Sequence, residues 1–344
     1  MKNSCTILVC ILFVTVLLFP SCKKTENETQ KIYKIGLVGG LGGFTDRGFN
    51  QNILAGFQQA VWELPVTGEV YECQSVADMT TGINYFLSKN FDLIIASGFD
   101  AADATLAAAK ANPGTDFLLI DYSATDSPSN LLCAVFDVDQ SSFPCGFLAA
   151  FWAYKQNIAN PVAGFVAGPE IPGIRQFSVS YIKGIEYFNA KYGKTVQSRG
   201  YYASSFSDTL QGAKLADSLL RQNASVIFAF AGKTGNGALY KAKEAGRWAI
   251  GVDVDQYISI PQVGPALLTS CMKGLDVMVY DIMDRYCKNN FPGGTIAHGT
   301  LENGGVGLAP FHDFDSSIPD SIKTALTAIN TGIKNGTIDT GWPE

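Results

Sequence analysis

The side chains with the means to do chemistry in this 344-residue chain are few. Its two histidines, His298 and His312, have no partner at a metal-ligand spacing, so a zinc site or a histidine-based triad has almost no material. What does gather is a recurring set of glycines, aromatic rings and carboxylates. One run reads Gly39-Gly40-Leu41-Gly42-Gly43-Phe44-Thr45-Asp46-Arg47-Gly48-Phe49-Asn50. Others are Ser97-Gly98-Phe99, Asp121-Tyr122, Gly168-Pro169-Glu170, residues 204–208 around Phe206, residues 231–237 around Gly232, residues 251–256 around Asp253, and Ser270-Cys271-Met272-Lys273. Glycine lets backbone approach a ligand, rings offer flat apolar faces, and carboxylates accept from hydroxyls. That is the chemistry of holding a small molecule. Signals for turnover are weaker: Gly40-x-Gly42-x-x-Thr45 lacks the third glycine of a dinucleotide loop. Gly232-Lys233-Thr234 ends like a phosphate loop, yet Ile227 stands where its first glycine belongs. Asp253 and Asp255 stand two apart at a strand end and are not read as an acid–base pair.

These segments share a position, each following a short apolar run. Strands are expected at 32–38, 69–73, 92–97, 116–121 and 131–137, then at 162–167, 196–201, 225–230, 248–252 and 266–271. Amphipathic helices fall between them, at 47–62, 78–89, 100–111, 139–155, 174–190, 208–222, 235–246 and 273–289. Phe177, Tyr181, Ile185 and Phe188 recur at the helical period and mark a buried face. Asp208 has the place of an N-cap, and Gly246 that of a helix terminator. Strand–helix alternation predicts an α/β fold with parallel sheets covered on both faces. Ten strands in two series predict two Rossmann-like lobes with a central ligand cleft and hinge. The expected lobes are 32–137 plus 253–300, and 138–252 plus 301–344, with crossings near 137–140, 252–256 and 299–305. The motif residues then sit at the carboxyl ends of the strands, where ligands bind in open parallel sheets.

Composition is globular, with 47% hydrophobic and 16% charged residues, and the net charge of -6 with no long basic run argues against nucleic acid. Residues 7–19 form an uncharged apolar stretch after Lys2, too short to span a bilayer comfortably and suited to a secretory signal at 1–21. It ends at Phe19-Pro20-Ser21-Cys22, which resembles a bacterial lipobox, and a polar tether at 22–31 follows. Cys22 is therefore the expected lipidation site, and several acyl chains would make a durable membrane anchor outside the cytoplasm. An ordinary cleaved signal would leave Cys22 incidental. The five cysteines beyond it have no C-x-x-C spacing and read as small buried hydrophobes.

Taken together, Asp46-Arg47-Gly48-Phe49-Asn50-Gln51, Phe206 with its following aspartate, and the segments 231–237, 251–256 and 270–273 resemble the basic membrane protein family of ABC-transporter receptors. The resemblance runs from about residue 34 to 307. It implies a type I periplasmic binding protein fold and, in the family's well-known members, a purine nucleoside ligand. By it, Phe49 and Phe206 would sandwich the base, Asp253 would accept both ribose hydroxyls, and Lys273 would donate to the same sugar and balance Asp253. Asp121 would read the base edge, Gly232 would offer backbone, and Asn50 would join the site or only cap the first helix. No catalysis, cofactor or metal is implied; the partners are a small-molecule nucleoside and an ABC permease, with the receptor working as a monomer. One departure is Gly40, where the family usually has an aspartate. A sugar or a signalling molecule in the same fold, a nucleoside hydrolase, and a display protein with a vestigial cleft are the alternatives.

Overall fold

The computed structural model describes residues 31–343; the expected signal peptide, Cys22 and the tether up to residue 30 lie outside the described residues, as does Glu344. Twelve strands and ten α-helices follow in chain order among the described residues. The first series is β1 (Tyr33–Gly39), α1 (Phe49–Glu63), β2 (Val66–Glu72), α2 (Val76–Ser88), β3 (Leu93–Ser97), α3 (Ala102–Ala111), β4 (Asp116–Ile120) and β5 (Leu131–Phe136). Then come α4 (Asp139–Lys155), β6 (Val162–Ala167), α5 (Pro172–Tyr192), β7 (Gln197–Tyr202), α6 (Thr209–Leu220), β8 (Ala224–Phe230), α7 (Gly232–Glu244), β9 (Trp248–Asp253) and α8 (Gln256–Ser259). The chain closes with β10 (Leu267–Lys273), α9 (Leu275–Cys287), β11 (Ile296–Gly299), β12 (Val306–Leu308) and α10 (Asp320–Lys334).

The strands build two sheets of six, ordered β2-β1-β3-β4-β5-β11 and β7-β6-β8-β9-β10-β12. Every pairing is parallel except β10 with β12. Strands β3, β6 and β8 are buried along their whole length, as parallel strands covered on both faces must be. The local signals act as read: Asp208 accepts from Gln211 N at 2.9 Å as the N-cap of α6, and Gly246 takes a left-handed φ of 64° just after α7. Phe177, Tyr181, Ile185 and Phe188 are all buried along α5. Cys73, Cys133, Cys145 and Cys271 are buried free thiols, and Cys287 is half-buried and free.

One boundary differs from expectation. Residues 253–300 were assigned to the first lobe with a crossing near 252–256, yet β10 pairs with β9 in the second sheet, Ser270 opposite Gly251. The chain leaves that sheet only after Lys273, where α9 packs on α1 and β11 pairs with β5. The reason is register: a short turn through α8 brings β10 back beside β9, so residues 253–273 bury their apolar faces in the second lobe. The loop at 252–256 is a binding-loop turn within one lobe. Helix α10, packed on α4, was absent from the sequence reading although Ile322, Leu326, Ile329 and Ile333 have helical spacing.

Candidate ligand-binding cleft

Between the carboxyl ends of the two sheets lies a cleft of about 590 Å³. All seven residues singled out from sequence, Phe49, Asn50, Asp121, Phe206, Gly232, Asp253 and Lys273, lie on its walls. So does Tyr122, from the expected strand-end segment, and so do Phe177, Asp100, Gln176, His298 and Trp342, which sequence reasoning did not place there.

Lys273 is the electrostatic centre. It ends β10, is only 5% exposed, and its Nζ lies 2.7 Å from Asp121 Oδ2, a residue of the other lobe, and 3.9 Å from Asp253 Oδ1. The closer partner is thus Asp121, with Asp253 at the edge of ion-pair range. Three rings surround the ammonium, with centroids at 5.3 Å for Phe177, 5.5 Å for Phe49 and 5.8 Å for Phe136. Burial alone would lower the lysine's pKa, but the attraction of Asp121 and then Asp253 outweighs it and raises the value.

Asp253 ends β9, next to β10, with a left-handed φ of 65°; Asp121, just past β4, takes 61°. Aspartate tolerates this conformation better than most residues, and at both strand ends it turns the chain aside from the cleft. The Asp253 carboxylate is buried, and among the described residues no hydrogen-bond donor reaches it. Its pKa is pushed up to about 6, first by burial, with Lys273 opposing and Asp121 and Asp46 adding repulsion. Asp255 points away, accepting from Tyr257 N at 3.2 Å and pairing with His312 Nε2 at 2.7 Å. The two carboxylates therefore take different partners, because β9 ends at Asp253 in a left-handed turn and Asp255 caps the start of α8.

The ring walls rest on tight backbone. Phe49 opens α1, and neither it nor Phe206 is engaged by another ring among the described residues. A Cβ on Gly168 would lie 2.1 Å from the Phe206 ring, so only glycine lets that ring lie flat against the loop after β6. Gly232 packs beneath Phe206, and Thr234 fixes the loop by donating from Oγ1 to Ser205 O at 2.7 Å and from N to Phe206 O at 3.1 Å. Asn50 has no spare capacity for a ligand. Its Oδ1 accepts from Gly40 N at 2.9 Å and Ser97 Oγ at 3.3 Å, while Nδ2 donates to Leu41 O at 3.3 Å and Asp46 Oδ2 at 3.0 Å. Asp46 in turn accepts from the backbone N–H groups of Gly48, Asn50 and Gln51, capping the start of α1. A Cβ on Gly40 would lie 2.7 Å from Asn50 Oδ1, so a side chain there would require the Asn50 amide to shift.

Hydrogen bonds also join the lobes. Asn236 Nδ2 donates to Asp46 O at 3.0 Å, and Gln256 Nε2 holds Asn236 Oδ1 at 3.0 Å. Arg47 Nη1 donates to Ser259 O at 3.1 Å, and Ser259 Oγ returns a bond to Arg47 O at 2.9 Å. With the Lys273–Asp121 pair, these bonds tie the two lobes together at the cleft.

A family model described as ABC transporter substrate-binding protein PnrA-like matches residues 35–338. The chain belongs to this family. Among its relatives, the ABC transporter nucleoside-binding protein BmpA of Lactococcus lactis subsp. cremoris is 30% identical over 96% of this chain and 98% of its own. An uncharacterized lipoprotein of Pyrococcus abyssi is 31% identical over 82% of this chain and 70% of its own. The fold agrees: a solved ABC-transporter solute-binding protein of Aeropyrum pernix K1 superposes with a TM-score of 0.82 at 25% identity, over 89% of this chain and 92% of that one. The family is that of ABC-transporter substrate-binding proteins, which are not enzymes and which hold a small molecule and work with a membrane permease, and the fold is the type I periplasmic binding protein fold.

Proposed function

We propose that this PnrA-like receptor captures nucleosides, purine nucleosides foremost, between its two closing lobes and delivers them to an ABC permease. The observation that carries the reading is Asp253: a buried carboxylate, lacking any protein donor among the described residues, beside a caged ammonium and within a cleft walled by Phe49 and Phe206. A burial cost of that kind is offset when a ligand brings its own donors. Vicinal sugar hydroxyls supply two, which the two oxygens of one carboxylate can accept. Flat rings on opposite lobes suit a base, with about 1–3 kcal/mol per stacked base. Asp121 stays bound to Lys273 and fixes the ammonium for the sugar; Gly232 and Asn50 position the walls. The relative named as a nucleoside-binding protein supports the same ligand class. No chemistry follows capture. Closure forms the Asp46–Asn236 and Arg47–Ser259 bonds, and the ligand favours closure by its affinity for the closed state over the open one. In the same reading the protein acts as a monomer held outside the cytoplasm by acyl chains on Cys22, an arrangement that fits a relative named as a lipoprotein.

Calorimetric titration with adenosine, guanosine, their 2'-deoxy forms, their 5'-monophosphates and free ribose tests this. Ribonucleosides should bind best, and the deoxy forms should lose about 1–3 kcal/mol through an unmet acceptor at Asp253. The monophosphates should also bind more weakly than the ribonucleosides. The cleft lines Asp46, Asp100, Asp121, Asp137 and Asp253 against only Lys233 and Lys273, and one added negative charge near 8 Å from an excess carboxylate costs about 2 kcal/mol. Binding of ribose or another sugar without any nucleoside would keep the fold and overturn the ligand.

A pH dependence follows from Asp253. Its folded pKa of about 6 lies above the ordinary 3.8, so the fold prefers the neutral acid. The unliganded protein should therefore be favoured below about pH 4 by this group and lose on the order of 3 kcal/mol as pH rises through 6. Hydroxyl donors favour the anion, so nucleoside affinity should run the other way. It should be flat above pH 7 and fall roughly tenfold per unit below 6, with proton release on binding near pH 5.5. Titrations in buffers of different ionisation enthalpy read the released protons; affinity that is constant from pH 5 to 7 would separate Asp253 from the ligand.

A further inference from the structure

Beyond α10 the chain turns back into the molecule. Thr340, itself buried, donates from Oγ1 to Asp139 Oδ2 at 2.7 Å, a bond between residues 201 positions apart. Gln176 Nε2 donates to Asp139 Oδ1 at 2.7 Å, so one buried carboxylate ties the tail to the start of α4 and to the first turns of α5. Gly341 then takes a φ of 81° against the Lys183 side chain, a turn that a larger residue would resist. The next residue, Trp342, lines the cleft together with Gln176 and the segment 171–174 that opens α5. Among the described residues no other ring stacks on its half-buried indole and no protein acceptor takes its Nε1–H, which stays accessible from the cleft. A half-buried tryptophan ordinarily uses both its face and its donor.

We propose that Trp342 is a ligand-contacting residue, carried into the cleft by a C-terminal strap whose anchor is the Thr340–Asp139–Gln176 bridge. The inference rests on the nucleoside reading of the cleft. The strap closes the side of the cleft formed by the starts of α4 and α5, and offers the ligand a third aromatic face and one hydrogen-bond donor. The strap carries no part of the strand-end motifs, so it can vary the ligand preference of the cleft without disturbing Asp253 or Lys273.

The test uses the full-length protein with adenosine and guanosine. Trp342→Ala should weaken binding at least tenfold while the unliganded melting temperature stays within about two degrees, since the residue caps no core. Thr340→Val, which removes the anchor and keeps the indole, should give an intermediate loss; Trp342→Phe should retain part of the affinity. Of the four tryptophans only Trp342 lines the cleft, so ligand should change the intrinsic emission of the wild type and leave Trp342→Phe unchanged. A wild type that binds, with Trp342→Ala within twofold of it, overturns the strap alone. An emission change that persists in Trp342→Phe does the same, even if Trp342→Ala fails to fold. A wild type that binds neither nucleoside overturns the nucleoside reading and the strap with it.

Discussion

Asp253→Ala should lower affinity for ribonucleosides at least a hundredfold, about 3 kcal/mol, while leaving the unliganded protein as stable as before or more stable at pH 7. The two halves have one cause. The carboxylate is buried and reached by no donor among the described residues, so its ionised form is a burden on the empty receptor. Lys273 keeps its closer partner, Asp121 at 2.7 Å, so removal of Asp253 does not strand the ammonium. With ligand present the balance reverses, because two sugar hydroxyls would lose a charged acceptor in a site closed to water, and losses of about 2–5 kcal/mol are usual for such partners. Calorimetric titration and thermal unfolding of the same preparations read the two quantities. Unchanged affinity would remove Asp253 from the site, and a large loss of unliganded stability would mean that the carboxylate is structural. The opposition of stability and function is what a binding site that stores a desolvated charge must show.

Lys273→Met should destabilise the unliganded protein by about 3–5 kcal/mol at pH 7, the usual cost of breaking a buried ion pair from one side. Methionine nearly matches the side-chain length and sits well among the rings of Phe49, Phe136 and Phe177, so the loss reports charge and not a cavity. What it leaves is two carboxylates, Asp121 and Asp253, with no cation between them. Asp253, already raised by burial and losing the one charge that opposes the rise, would be driven further toward the neutral acid, so the deficit should shrink on acidification from pH 7 to pH 5 as it takes up a proton. Denaturant unfolding at the two pH values decides it. A deficit equal at both would point to packing, and none at all would mean that the pair between the lobes contributes nothing to the closed form.

The fold and most of the site wall were legible because they depend on local signals. Strand runs such as Leu93–Ser97 and Ala224–Phe230 announce burial on both faces, and the stripe from Phe177 to Phe188 announces one helix face. A parallel sheet then places strand-end glycines, rings and carboxylates on one side, which is why the sequence alone assigns residues as far apart as Phe49 and Lys273 to a single cleft. Those signals carry no information about which partner a charge chooses. Lys273 was read as the counter-ion of Asp253, its neighbour across two adjacent strands, but its closest contact is Asp121 from the other lobe, 152 positions away, because only lobe packing brings that strand end within 2.7 Å. The same holds for Asn50, whose amide is used up by loop backbone and by Ser97, and for the point at which the chain leaves the second sheet, set by the register of β10 on β9. Trp342 had no motif to mark it. What the sequence determined by itself was the strands and helices up to α9, apart from the short α8, and the face on which they present their chemistry, since periodicity and capping act over a few residues; tertiary structure alone decided the ion pairing, the edge strands β11 and β12, the lobe crossing and the return of the C-terminus to the cleft, since these depend on contacts between residues far apart in the chain.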